Sequence, residues 1–137
     1  MITSSDTDTN LTSKQRKSEG FAGQKMIVLP QKIISNLLQH PLLKTLFATH
    51  IGYFPKAKFH YRERNQGIDE FVLIYCIEGE GWYEVEEEQF EVRPNDFFIL
   101  PAGFPHRYSA DNEAPWEYLL DTFCRNSGLC IYQLIQK

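Results

Sequence analysis

The sequence has few residues able to build a metal centre or a disulfide framework. Its three cysteines, Cys76, Cys124 and Cys130, form no Cys-x-x-Cys pair, so zinc-ribbon and dithiol redox motifs are both missing. Reduced thiols in a cytoplasmic protein are the expectation. The chain opens with no charged-then-apolar leader and cleavage site, and no apolar run approaches the roughly 18 residues of a membrane-spanning helix. Neither secretion nor a membrane partner is expected. Basic excess is lacking too: 14 Lys and Arg stand against 18 Asp and Glu, a formal charge of −4. Nucleic-acid affinity at physiological salt comes chiefly from Lys and Arg displacing counterions, so this chain alone is not expected to bind DNA. At 137 residues there is room for one domain with a core and none for two.

Aromatic residues are abundant, at 14% of the chain with ten Phe and seven Tyr, which favours strands and pocket walls. Residues 1–20 are rich in Ser, Thr, Asp and Asn and too poor in aliphatic side chains to offset their ordering entropy, and are read as a disordered tail. Lys32–Leu38, opened by Pro30 and followed by Pro41, has apolar residues at helical spacing and is read as a short helix. Strands are expected over Phe47–Phe54 and Lys58–Arg64, separated by Pro55, and over Phe71–Glu78, whose nearly continuous apolar run suggests cover on both faces. After a bend at Gly79-Glu80-Gly81, alternation runs through Trp82–Glu88 and on through Gln89–Arg93 to the turn pair Pro94-Asn95. Phe97–Leu100 is read as another buried strand. Short strands punctuated by Gly and Pro, with no helices between them, indicate an all-β sandwich or barrel.

The segment Pro94–Tyr108 narrows this reading. Asp96, Pro101, Gly103 and His106 resemble the second cupin motif, in which Pro and Gly turn the chain so that the next strand starts with its His at the barrel mouth. Further stretches resemble the sensor domain of AraC-family bacterial transcription regulators: Gly20–Gln24, His40–Leu42, Ile51–Ala57, His60–Glu70, Leu73–Cys76, Gly79–Trp82, Pro105–Asp111 and Pro115-Trp116. Their order and spacing together cover most of the chain after residue 20. The resemblance implies a cupin, double-stranded β-helix (jelly-roll) barrel with a short N-terminal helix, spanning residues 21–118, that binds a small-molecule effector, with a sugar as the leading class, and forms a homodimer.

Within that resemblance Arg64 matches the family's sugar-contacting arginine, its guanidinium offering fork-shaped donors, and Arg62 faces the same way as its rival. Tyr108, two residues past His106, and Tyr118, two past Trp116, match further pocket positions. Trp116 is either a stacking surface for a sugar or a core plug, the plug being favoured, and His106 is either a ligand contact or a hydrogen-bonded rim residue. Metal-dependent cupins carry a His-x-His and a nearby Glu in their first motif. Here those histidine positions fall among Arg62–Gly67, where there is none, and one imidazole is too few for a catalytic metal. No metal, no cofactor and no catalytic residue are expected; the rival reading is a small metal-dependent cupin enzyme, a dioxygenase or sugar isomerase.

After Trp116 the family pattern leads on to a final strand resembling Tyr-Trp-Ile-His-Phe and then a helix-turn-helix module. Leu119–Asn126 departs from it. A set of codons for Leu119–Arg125, read one base later, spells Tyr-Trp-Ile-His-Phe-Ala-Gly, so residues 119–137 are read as an atypical, frameshifted C-terminal tail without the DNA-binding module.

Overall fold

The computed structural model describes residues 16–17 and 20–125. Most of the tail expected over 1–20 and most of that expected over 119–137 fall outside these residues. Among the described residues the elements run β1 (Lys25–Val28), α1 (Gln31–Gln39), β2 (Leu46–Phe54), β3 (Tyr61–Arg64), β4 (Phe71–Glu78), β5 (Gly81–Val85), β6 (Glu88–Val92), β7 (Phe97–Leu100), β8 (His106–Ala110) and β9 (Glu117–Arg125). They form two antiparallel sheets, one ordered β1-β2-β9-β4-β7 and the other β3-β8-β5-β6. This is the expected jelly-roll arrangement, and it buries the alternate residues of both sheets in a shared interior.

That interior is dominated by aromatic rings. Phe54, Tyr108, Trp116 and Tyr118 are buried, and Val72, Ile74, Cys76, Leu100 and Leu120 pack around them. A second small cluster, Ile34, Phe47 and Cys124 with Leu37 and Leu38, seats the apolar face of α1 against the large sheet. Cys76 is a free buried thiol whose pKa burial pushes up to about 11, with Asp96 and Glu80 adding to the effect. Cys124 differs from the reduced state expected of it and is disulfide-bonded.

Several elements depart from the sequence reading. The strand expected from Lys58 starts only at Tyr61, because Lys56 (φ 41°) and Phe59 (φ 63°) fold the chain into a turn closed by the His60 N–H on the Ala57 carbonyl. The alternation through Trp82–Glu88 is broken by a two-residue hairpin turn: Glu86 (φ 53°) and Glu87 (φ 65°) reverse the chain, pairing Val85 with Glu88. Two left-handed residues match the twist of the flanking strands, but neither is the Asn or Gly that usually marks such a turn. β4 and β7 are covered on one face only, since Tyr75, Phe97 and Ile99 are exposed. β1, with every side chain exposed, offers no apolar alternation and was not expected at all.

Where the expected boundary after residue 118 falls, the chain runs on in β9 to Arg125, the central strand of the large sheet, paired with β2 on one side and β4 on the other. At the other terminus Lys17 makes a parallel bridge to His60, its N–H donating to the Phe59 carbonyl at 2.8 Å and its carbonyl accepting from Tyr61 N–H at 2.9 Å. The bend expected at Gly79-Glu80-Gly81 is present. At Gly79 (φ 74°) a Cβ would lie 2.3 Å from the Pro115 carbonyl oxygen, and at Gly81 it would lie 2.4 Å from the Trp116 ring.

Candidate functional site

The links from Arg64 to Phe71 and from Leu100 to His106 both leave from one end of the barrel, so Pro101, Gly103, His106 and Arg64 share a rim, while Asp96 of the same motif sits before β7 at the strand's other end. In the small sheet Arg64 pairs with His106, and His106 pairs with Val85 just before the Glu86-Glu87 turn. These three strand ends and the turn enclose an open groove of about 430 Å³. Its lining mixes Arg64, Asn65, His106 and Arg107 with Glu63, Glu84, Glu86 and Glu87.

His106 is only 4% exposed and fully engaged. Its Nδ1 lies 3.1 Å from the Phe104 carbonyl, which can only accept, so Nδ1 carries the proton. Nε2 lies 2.9 Å from Arg64 Nη1, which can only donate, so the Nε2 lone pair is taken up by the guanidinium. Burial lowers the His106 pKa below its ordinary value, the neighbouring Arg64 charge lowers it further, and the bond to Phe104 opposes them. The imidazole is thereby held neutral, in one tautomer. Arg107 bonds Glu84, its direct neighbour on β5, at 2.7 Å, and Glu63, Glu86 and Glu87 are exposed.

The sequence-derived site residues divide into two layers. Arg64 and His106 come together at the groove. Tyr108 lies beneath, its ring stacked on His106 at 6.4 Å, and Trp116 and Tyr118 lie deeper still. All three are buried, so none faces the groove directly. Below Tyr108 the column continues through His60, which meets Tyr118 at 5.3 Å and bonds its hydroxyl, to Phe54, stacked on Tyr118 at 4.7 Å. Trp116 touches Tyr108, Tyr118 and Phe98, and its buried Nε1 has no hydrogen-bond partner among the described residues.

Sequence reasoning passed over Glu63, Glu84, Glu86, Glu87 and Arg107. The signal that would have found them is register: once the Glu86-Glu87 turn is placed, Val85 must oppose His106. A second polar cluster was also missed. Glu70 accepts from Thr49 Oγ1 at 2.7 Å, Thr49 and Thr122 hydroxyls are 2.7 Å apart, and Thr122 lies 2.8 Å from His50 Nδ1. Since the carboxylate at the end only accepts, the chain runs from His50 Nδ1–H toward Glu70 and ties β2, β9 and the start of β4 together.

The donor set does not suit a catalytic metal. His106 offers its Nε2 to a cation already, and that cation is Arg64. Among the described residues no three His, Cys, Asp or Glu side chains are grouped to hold an ion.

Comparison with known proteins gives the family and the fold. The family model for the AraC-like ligand binding domain matches residues 48–124. The chain belongs to that family. Among curated relatives, this AraC-like domain is 36% identical over 92 residues to the MmsAB operon regulatory protein of Pseudomonas aeruginosa, covering 64% of the chain and 30% of the relative. It is 41% identical over 55 residues to the raffinose operon transcriptional regulatory protein RafR of Pediococcus pentosaceus, covering 39% and 20%. It is also 33% identical over 65 residues to acireductone dioxygenase 1 of Vitis vinifera, covering 44% and 34%. The chain thus spans about a third or less of the length of these relatives. The cupin domain of Schizosaccharomyces pombe Cnp3 superposes with a TM-score of 0.51 at 13% identity, over 80% of this chain and 70% of that one, which supports the cupin fold. Among the described residues no helix is long and apolar enough to cross a membrane.

Proposed function

We propose that this domain senses a small neutral polyol, with a sugar as the best-fitting class, in the groove beside Arg64 and His106, and that its role is recognition without catalysis. The observation that carries the reading is the mixed lining of that groove. A sugar hydroxyl both donates and accepts, and here carboxylates and guanidinium donors line the same groove. An anionic effector fits less well, because four glutamates outnumber two arginines around the space. In this reading Arg64 and His106 contact the ligand, Tyr108 is the floor beneath His106, and Trp116 and Tyr118 hold that floor in place. The raffinose operon regulator among the relatives supports a sugar. As in other regulators, the ligand would act by shifting the population of two packed states. We also read the domain as cytoplasmic and self-associating, with DNA contact outside this acidic chain.

The match to an acireductone dioxygenase favours the rival, a metal-dependent cupin enzyme. Arg64 on His106 Nε2 weighs against it, since a metal would have to displace the guanidinium and gather ligands that the groove does not bring together.

A thermal-shift screen of neutral sugars and sugar acids tests the reading, because a ligand that binds only the folded chain raises its Tm. At least one neutral sugar is expected to raise Tm, with the shift lost in Arg64→Ala and His106→Ala. A sugar shift untouched by both substitutions, or a response to sugar acids alone, would remove the groove from the account.

A further inference from the structure

The Arg64 guanidinium is held by an acceptor that a single proton removes. Its Nη1 donates to the lone pair on His106 Nε2 at 2.9 Å, and among the described residues no carboxylate lies within ion-pair distance of it. An arginine only donates and stays charged at every pH a folded protein meets, so the contact lasts while the imidazole keeps that lone pair. The ring has one place left for a proton. Nδ1 is already protonated, bonded to the Phe104 carbonyl at 3.1 Å, and the residue is buried. A proton arriving at Nε2 sets an N–H against an N–H, two positive groups in contact with little water between them.

The neighbouring elements decide where the displaced cation goes. On β3 the other charged side chains are Arg62, in register with Tyr108, and Glu63, which accepts from Tyr61. On β8 Arg107 is bonded to Glu84 of β5, and the Tyr108 ring stacks on that of His106. The link after β3 carries Asp69 and Glu70; Glu70 accepts from Thr49 in the chain that starts at His50, and neither lines the groove. That leaves the hairpin turn after β5. Glu86 and Glu87 line the same groove as Arg64, pair with no cation among the described residues, and follow directly on Val85, the cross-strand partner of His106. Carboxylates as a class stay ionised about two pH units below an imidazole, so a turn of this kind still offers negative charge when a histidine gains its positive one.

We propose that Arg64 is a two-position switch set by one proton: with His106 neutral it stays on Nε2 and the groove is open, and with His106 protonated it swings to the Glu86-Glu87 turn and closes the groove. The inference rests on the reading of this groove as the effector site and adds that site's regulation, because an effector that needs Arg64 in its first position competes with the proton. Burial and the Arg64 charge both hold the His106 pKa below its ordinary value, so the open position is the one kept near neutrality and the switch runs on acidification.

Side-chain NMR of the full chain with nothing added, titrated from about pH 7.5 to the onset of acid unfolding, tests it. The Arg64 Nε–H resonance, assigned by its loss in Arg64→Lys, should move with the same midpoint as the His106 ring, and the movement should vanish in His106→Gln. With Glu86→Gln and Glu87→Gln combined, the acid position should be lost and the Arg64 Nε–H left in fast exchange with water; both substitutions fall on exposed side chains, and circular dichroism checks that the barrel persists. An Arg64 signal that stays still while His106 titrates, that moves in His106→Gln, or that reaches the same acid position without the two carboxylates overturns the proposal, as does a ring that stays neutral until the chain unfolds. The sugar screen is separate from this titration. For a neutral sugar that raises Tm near neutrality, Kd should rise by up to about tenfold per pH unit below the His106 midpoint. A sugar bound equally well with His106 protonated overturns the switch and leaves the recognition reading standing, whereas the Arg64 movement with no sugar bound at any pH overturns that reading and leaves the switch.

Discussion

At the residue scale the balance of the site rests on the state of one imidazole. His106 is neutral because burial disfavours its charged form and Arg64 repels a proton. The sign for stability follows. A histidine whose folded pKa is depressed contributes fully above its unfolded value, about 6.5, and the contribution is lost as pH falls from there through the folded value, since the unfolded chain protonates first. Thermal unfolding between about pH 7.5 and pH 5 should therefore show Tm falling more steeply in the native chain than in His106→Gln; parallel profiles would speak against a depressed His106. Arg64→Met should raise the His106 pKa, read by NMR titration of the ring. Trp116→Ala opens a cavity beneath the site and is expected to cost about 3–5 kcal/mol in denaturant unfolding. Much of this layer could be read in the sequence: the Pro101, Gly103 and His106 pattern and the position of Arg64 lead to the rim. What could not be read was depth. Period-two spacing places Tyr108 and Tyr118 on the inward face, but the packing of His60 and Phe54 against them, which closes the interior, depends on residues distant in sequence.

At the scale of elements, turns and faces were legible to different degrees. The bend at Gly79-Glu80-Gly81 followed from composition, and the structure shows its reason in the close approach of Pro115 and Trp116. Gly81→Ala should destabilise by about 3 kcal/mol, since the added methyl meets the Trp116 ring and the Ser109 carbonyl. The Glu86-Glu87 turn was illegible because its backbone demands a left-handed pair that its residues disfavour. Replacing it with Asn-Gly should stabilise the chain by about 1–2 kcal/mol in urea unfolding, while weakening any effector that uses those carboxylates. A loss of stability would mean that Glu86 and Glu87 make contacts beyond the turn. The continuous apolar runs of β4 and β7 were read as covered on both faces, yet their outer side chains stand open. The inference from run to cover is sound only if the covering partner belongs to the same chain.

For the whole molecule the central placement of β9 matters most. Cutting the chain after Tyr118 would remove Leu119–Arg125 from between β2 and β4, leaving Thr49 and His50 without Thr122. Such a chain is expected to lose its strand signal in circular dichroism, whereas a chain ending at Arg125 keeps every described strand. The sequence departs from the family pattern along Leu119–Arg125, but a strand needs only alternation: Leu120, Thr122 and Cys124 turn inward and are buried, and Thr122 is accepted because Thr49 and His50 satisfy its hydroxyl. The account as a whole holds that an AraC-like cupin barrel has its rim histidine occupied by an arginine and serves recognition. Its most direct test is metal retention: the purified chain is loaded in turn with Fe²⁺, Mn²⁺, Ni²⁺ and Zn²⁺, dialysed and analysed for metal. The account predicts far less than one equivalent of each, unchanged in His106→Ala; one equivalent held by the native chain and lost in that variant would contradict it.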